Sequence, residues 1–286
     1  MAPPEAPAIA RALQLGDRRY DLTHRALVMG ILNRTPDSFY DKGATFALDK
    51  LWARAEQIVA EGADIVDIGG VKAGPGPEVT EEEELERVVP VVAGLAARFD
   101  LPVSVDTWRA SVARAVYAEG AVMGNDISGL ADPGYAAAAA DHRAAIVITH
   151  IRLAPRVPDP DPHYDDLVPD VARFLTERAA GARAAGVPAE RIVLDAGLDL
   201  GKTAEQSLTL LRASSTLAGL GYPLLLSASN KTFFGKILDL ELTARREASI
   251  GAAALGIAWG CRIVRVHDVK GTCRVRDALA AVSEAA

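Results

Sequence analysis

Short apolar runs recur eight times along the chain, and stretches with a helical spacing of apolar residues separate them. Runs of this kind, bounded by glycine and polar residues, are typical of strands that are buried on both faces. The predicted strands are 27–32, 64–68, 102–105, 121–124, 144–149, 191–194, 223–227 and 262–266. The predicted helices are 47–61, 81–98, 109–118, 133–141, 166–185, 205–218, 240–258 and 272–284. The alternation predicts an α/β fold, a (β/α)8 TIM barrel, in which the chemistry lies at the carboxyl ends of the strands.

We expect a single barrel with a short N-terminal extension. Residues 1–25 form the extension, with a small strand or hairpin over 12–22, and residues 26–286 form the barrel. No Gly/Ser-rich linker divides the barrel segment. Residues 152–165 contain too many prolines for a helix, so they predict a long loop after the fifth strand.

Composition then narrows the classes of partner. The 286 residues carry a net charge of −7 without a long run of Lys and Arg, which argues against nucleic-acid binding. No apolar run approaches the roughly 20 residues that span a membrane, and the N-terminus lacks a signal-peptide pattern. Cys261 and Cys273 lack metal-ligand spacing, which indicates reduced thiols. We therefore expect a cytoplasmic protein with no membrane partner.

Three polar residues follow strands at what would be one level of the barrel. Asp106, Asn125 and Asp195 directly follow the third, fourth and sixth predicted strands. Two carboxylates and an amide are suitable partners for a heterocycle with several N–H donors and a ring carbonyl. Asp106 and Asn125 could instead be N-caps of the following helices. The shared level of the three favours a common ligand.

A second group of residues favours an anion. Lys231 follows the seventh strand, Arg265 and His267 share one face at the end of the eighth, and Asn33 ends the first. The loops after strands seven and eight commonly bind phosphate in this fold. The alternatives are an ion pair between Arg265 and Asp268 and a solvated Lys231. Together these residues indicate a ligand with an anionic end.

Two loops add weaker signals. Gly69 and Gly70 precede Lys72 in the second loop, where glycine lets backbone approach a ligand, although a tight turn explains them equally well. The first loop carries Asp37 and Phe39 and is long enough to act as a lid.

The motifs, in this order, resemble the dihydropteroate synthase family of pterin-binding barrels. The matching segments are MGILNRTPDSF (29–39), GADIVDIGG (62–70), SVDT (104–107), GNDISG (124–129), LDAGLDLGKT (194–203), SNKTFFG (229–235) and RVHDV (265–269). The resemblance implies condensation of 6-hydroxymethyl-7,8-dihydropterin diphosphate with para-aminobenzoate, in folate biosynthesis, with release of diphosphate. It also implies a homodimer, to which the stripe of Ile250, Ala253 and Ile257 could contribute unless that stripe packs on the barrel.

The resemblance also implies roles for individual residues. The pterin would contact Asp106, Asn125, Asp195 and Lys231. The diphosphate would contact Asn33 through Mg²⁺, together with Arg265, His267 and Lys72. The arylamine would lie among Phe39, Leu200, Ser229 and Pro75. The residues implied in catalysis are Asp37, Lys231, Arg265 and His267, with the carboxylate of Asp37 stabilising a pterin-methyl cation after a dissociative C–O cleavage.

The second loop departs from the family pattern, which usually runs G-G-E-S-T-R-P-G. Here the hydroxyl residue is Ala73 and the arginine is Gly74, and a flexible Lys72 only partly compensates. Leu200 replaces the usual aromatic residue, so lowered sulfonamide sensitivity is a further hypothesis. NRTPDSFYDKGATF with GGVKAGPG also resembles an actinobacterial paralogue branch of doubtful synthase activity.

Other functions therefore stay open alongside the synthase. One is a pterin-binding paralogue with weak, absent or altered activity toward another amine. A second is a methyl-pterin:corrinoid methyltransferase, which shares the pterin barrel. A third is a Schiff-base aldolase that uses Lys202 or Lys231.

Overall fold

The computed structural model describes residues 10–34 and 43–285, and only the backbone of 43–47. Eight parallel strands close into a barrel, as the sequence predicted. They are β3 (Leu27–Asn33), β4 (Ile65–Gly69), β5 (Val103–Asp106), β6 (Met123–Asp126), β7 (Ala145–Thr149), β8 (Ile192–Asp195), β9 (Leu224–Leu226) and β10 (Cys261–Val266). β10 pairs with β3 and completes the ring.

Helices cover the outside of the barrel. They are α1 (Gly43–Ala60), α2 (Glu81–Arg98), α3 (Ala110–Ala118), α4 (Tyr135–Asp141), α5 (Leu167–Ala184), α6 (Ala204–Arg212), α7 (Ser214–Ala218), α8 (Thr232–Leu238), α9 (Arg246–Ala258) and α10 (Val269–Glu284). The predicted helix 205–218 is two helices, and the predicted helix 240–258 begins only at Arg246. Residues 152–165 form no helix or strand, as expected from their prolines.

Helix α2 shows how local chemistry sets an element. Thr80 and Glu83 form a capping box, and Glu81–Glu84 place negative charge in the first turn, where the helix dipole favours it. Pro90 lies inside the helix and cannot donate a hydrogen bond to the carbonyl of Glu86. The guanidinium of Arg34 donates to that carbonyl at 3.3 Å instead. The base of the first βα loop is thereby attached to α2.

An antiparallel hairpin closes the amino-terminal end of the barrel. It consists of β1 (Ala12–Leu15) and β2 (Arg18–Asp21), within the predicted 12–22 segment. Leu13, Leu15 and Leu22 are fully buried against inward-facing residues of the barrel strands. Arg191 donates to the carbonyl of Gly16 at 2.9 Å and holds the hairpin turn in place.

The inward-facing positions change from apolar to polar toward the other end. Ile65, Met123, Val193 and Ile263 pack with the hairpin. Because side chains alternate along a strand, the next inward positions are two residues further on. Those positions are occupied by Asp67, Asn125, Asp195 and Arg265. The apolar plug thus lies directly below a polar chamber.

Two further expectations concerned membrane-spanning helices and the state of the cysteines. In the described part of the chain, no helix is both long and apolar enough to cross a membrane. Cys261 and Cys273 are buried free thiols, as their spacing indicated.

Candidate active site

A forked arginine organises the polar chamber. Arg265 donates from Nε to Oδ2 of Asp67 at 2.6 Å and from Nη2 to Oδ2 of Asp106 at 2.9 Å. The expected alternative, an ion pair with Asp268, is wrong because Asp268 pairs with Arg246 at 2.7 Å. Arg265 points into the barrel, whereas Asp268 begins α10 on the outside.

Asp67 is the site residue that the sequence analysis missed. Its side chain is fully buried and also accepts from Ser104 Oγ at 2.6 Å and from Asn125 Nδ2 at 3.3 Å. It therefore connects β5, β6 and β10. The available signal was an acidic residue in the middle of the apolar run IVDIG, where only a paired carboxylate is tolerated.

Asp106 keeps one carboxylate oxygen for a ligand. Its Oδ1 is buried and, within the described residues, has no hydrogen-bond partner. Burial raises the pKa of Asp106 to about 7, against the opposing effect of Arg265. A buried, unsatisfied acceptor is costly unless something pairs with it, so the atom marks a binding position.

Asp195 and Lys231 form the other side of the chamber. Asp195 accepts from the amide of Gly197 at 2.8 Å, and burial raises its pKa. Lys231 donates to the carbonyl of Leu198 at 3.1 Å, and burial lowers its pKa although Asp199 and Asp195 oppose this. The alternative of a solvated Lys231 is therefore not what the structure shows.

The expected alternative of helix caps also fails. Arg109 is the N-cap of α3 and Gly134 that of α4, so neither Asp106 nor Asn125 caps a helix. The amides at the two helix starts instead reach Asp132, which accepts from Ala110 and Gly134 at 2.8 and 2.9 Å. Asp106 and Asn125 are thus available to a ligand.

His267 and Ser229 lie together at the rim. The hydroxyl of Ser229 accepts from the backbone amide of His267 at 3.1 Å and contacts its Nδ1 at 2.9 Å. Loss of water around the ring and the nearby charges of Arg265 and Arg54 lower the pKa of His267 to about 4. With the hydroxyl donating to Nδ1, the neutral ring presents its Nε2–H as a donor for an anion.

The second βα loop, residues 70–80, is held by neighbouring elements. A Cβ on Gly70 would lie 2.8 Å from a methyl of Val88, which explains the glycine where the loop meets α2. Arg156, in the loop after β7, donates from its amide to Ala73 at 3.1 Å and from Nη2 to Gly76 at 2.6 Å. The loop after β7 therefore fastens the second loop from above.

These two loops and the loop after β8 enclose a cavity of about 210 Å³. Pro75 and Leu200, both expected at an arylamine site, line it together with Asp159, Asp199 and Lys202. Ser229, expected there too, points to His267 instead.

A buried Lys–His contact fixes one wall of this cavity. Lys202 Nζ lies 2.9 Å from Nδ1 of His150 and donates to the carbonyl of Leu200 at 2.9 Å. Burial lowers the pKa of Lys202 to about 7 and that of His150 to about 3. The contact attaches the loop after β8 to the end of β7.

Comparison with known proteins agrees with this geometry. The model of a family described as "Pterin binding enzyme" matches residues 29–267. A dihydropteroate synthase from Synechocystis is 44% identical over 93% of this chain and 94% of its own length. The chain belongs to the dihydropteroate synthase family. It is also 44% identical to "Inactive dihydropteroate synthase 2" of Mycobacterium leprae, over 90% of this chain and 91% of that protein.

A solved structure of a dihydropteroate synthase shares the fold. The enzyme from Xanthomonas albilineans in complex with 7,8-dihydropteroate has a TM-score of 0.86 at 38% identity, covering 95% of this chain and 98% of that one. The overall fold is therefore that of dihydropteroate synthases.

The remaining residues expected at the site lie in different parts of the chain. Asn33 is exposed at the end of β3, on the rim. Lys72 is exposed in a groove between the second loop and α2, with Arg87 and Glu83, rather than in the cavity lined by Leu200. Asp37 and Phe39 lie outside the described residues.

Proposed function

We propose that this chain condenses 6-hydroxymethyl-7,8-dihydropterin diphosphate with an arylamine, para-aminobenzoate in the family reaction, and releases diphosphate. The observation that carries the proposal is the unpartnered Oδ1 of Asp106, buried between an acid and amide cluster and the cation Arg265. A flat ring with several N–H groups supplies the donors that this oxygen lacks.

The pterin half of the site has complementary groups. The carboxylates of Asp106 and Asp195 accept from ring N–H groups, and Asn125 can both donate and accept. Lys231 would donate to the ring carbonyl from its position beside Asp195. Arg265 would lie over the methylene end of the pterin, because its guanidinium contacts both Asp67 and Asp106.

The chemical step separates charge at the rim. The C–O bond to diphosphate breaks, the amine nitrogen forms the new C–N bond, and the amine loses a proton to solvent. Arg265 and the Nε2–H of His267 would stabilise the departing anion as its charge develops. Asp37 is proposed to stabilise the cationic pterin methylene from the first loop.

The residues present fit a magnesium ion of the kind that phosphate substrates bring. Mg²⁺ keeps several waters and usually takes only one or two protein ligands besides phosphate oxygens. Asn33 offers a carboxamide oxygen on the rim, while the described residues contain no cluster of three metal-ligating side chains. When bound, the ion neutralises diphosphate charge.

A diphosphate-release assay with para-aminobenzoate tests the proposal, and calorimetry with the pterin diphosphate tests the site. Asp106→Asn should abolish pterin binding, because the amide nitrogen opposes ring donors. Asp126→Asn is a matched control, since Asp126 is buried on the neighbouring strand and, among the described residues, accepts only from its own turn at Ser128 and Leu130. Undiminished pterin affinity in Asp106→Asn would contradict the assignment.

A pterin-binding protein without synthase turnover is the second candidate. It is favoured by Ala73 and Gly74 at positions where the family has a hydroxyl residue and an arginine, and by the name of the M. leprae relative. Binding of the pterin diphosphate without diphosphate release in the presence of para-aminobenzoate would support it.

The synthase relatives favour neither the methyltransferase nor the aldolase. Borohydride trapping at Lys202 would be expected to fail.

We also propose a homodimer through the outer face of α8 and α9. Of the expected stripe, Ala253 and Ile257 are buried against the barrel and Ile250 is partly buried, which leaves little of it for a partner. Exposed leucines are available instead: Leu238 at the end of α8 (52% exposed), Leu242 in the segment between the two helices (58%) and Leu255 in α9 (46%). Sedimentation of Leu242→Glu should give a monomer where the wild type gives a dimer.

Lowered sulfonamide sensitivity, argued from Leu200, stays a proposal that inhibition of the purified protein would test.

A further inference from the structure

An aspartate that the proposed reaction does not use lines the cavity expected to hold the arylamine. Asp199 is adjacent to Leu200 and faces the same 210 Å³ space as Pro75. Its φ is 67°, in the left-handed region that aspartate and asparagine adopt more readily than most residues. The side chain is therefore presented from a strained position in the loop after β8.

Hydrogen bonds fix this carboxylate. Oδ2 accepts from the backbone amide of Thr232 at 2.6 Å and from its hydroxyl at 2.9 Å. Ser207 Oγ accepts from the amide of Asp199 at 3.1 Å. These hydrogen bonds hold the negative charge at the start of α8.

The charge of Asp199 is less compensated than that of the other carboxylate in the cavity. Asp159 forms a two-point ion pair with Arg152. In the described part of the chain Asp199 has no ion pair, although its charge opposes the lowering of the Lys231 pKa. The two other cations that line the cavity are engaged elsewhere, because Lys202 donates to the carbonyls of Leu200 and His150 and Arg156 donates to that of Gly76.

We propose that Asp199 selects the amine acceptor by charge. It disfavours an arylamine whose far end is a carboxylate, and favours one whose far end is polar and uncharged, such as a carboxamide. A ring between Pro75 and Leu200 brings its far substituent near Asp199, which lines the same cavity, and like charges placed close together oppose binding. The inference rests on the proposed function, because it assumes that the arylamine binds in this cavity.

Calorimetry on the full chain with pteroic acid and its carboxamide tests the inference without requiring turnover. We expect the wild type to bind the carboxamide about tenfold more tightly than the acid. Asp199→Asn keeps an acceptor for Thr232 and tolerates the same backbone conformation, so it should remove the gap by improving binding of the acid. Asp239→Asn is the matched control, because Asp239 is an exposed aspartate with φ 52° at the other end of α8.

The outcomes separate the two proposals. A wild-type preference for the acid that Asp199→Asn leaves unchanged would overturn the role of Asp199 while leaving the pterin site intact. Failure of the pterin diphosphate itself to bind in a parallel titration would overturn the proposed function, and this inference with it.

Discussion

Replacing Asp67 by asparagine should weaken pterin binding through Arg265, although Asp67 need not touch the ring. Asp67 is one of two acids that hold the guanidinium, at 2.6 Å from Nε. Without that charge, Asp106 is the only strong partner left, and Arg265 should close on both of its oxygens. The guanidinium then competes with the ring N–H groups for Oδ1, which is unpartnered in the wild type.

The magnitude follows from the hydrogen bond that the ligand loses. A hydrogen bond to a charged group contributes about 2 kcal/mol. That energy corresponds to a roughly 30-fold rise in Kd. Binding of 6-hydroxymethylpterin without diphosphate isolates the ring contacts, so isothermal titration with this ligand is the suitable assay.

Two comparisons show whether the reasoning holds. Asp126→Asn removes a buried carboxylate from β6, two strands away from Asp67, and should leave the pterin Kd unchanged. Circular dichroism should show that both variants are folded. If Asp67→Asn is folded and binds the pterin within about threefold of wild type, the competition between Arg265 and the ring does not exist.

Two further predictions concern protons and packing. Burial raises the pKa of Asp106 to about 7, so pterin affinity should rise as pH increases through that value. Because this pKa is higher in the folded than in the unfolded protein, Asp106 also lowers the stability of the fold as pH rises from its unfolded pKa toward 7. Titrations across this range should show the slope in wild type, and a flat profile would argue that Asp106 is already ionised. Leu15→Ala should cost about 3 kcal/mol in the free energy of unfolding because Leu15 is 1% exposed within the barrel plug. Thermal melts should register the loss, and pterin affinity should not change, since Ile65, Met123, Val193 and Ile263 lie between the hairpin and the polar chamber. An unchanged melting temperature would contradict the packing argument.

Local patterns were sufficient for the barrel and for the ends of α2. Parallel strands buried on both faces give continuous apolar runs, and the Thr80 capping box marks the helix start. Helix α8 escaped prediction because it is a single short stretch that ends at Asp239 in a left-handed conformation. Short helices depend on tertiary packing, and the spacing of apolar residues along the sequence does not reveal that packing.

The candidate site was predictable in its ligand-facing residues but not in what supports them. Asp106, Asn125 and Asp195 follow strands, so their common level could be inferred. Asp67 and Arg265 are 198 residues apart in sequence, and only the closed barrel brings them together. The hydrogen bond from Arg156 to the carbonyl of Gly76 likewise joins loops from different βα units. The sequence of neither loop alone indicates this contact.

The hairpin at the amino-terminal end has a kinetic consequence. Leu13, Leu15 and Leu22 fill that end, so a ligand reaches the acids deep in the chamber through the opposite mouth. In the proposed reaction both substrates pass through this mouth, so the substrate that binds deeper is expected to bind first. A joined product must clear the same passage before the next turnover begins, so saturating acceptor should slow the entry of the pterin.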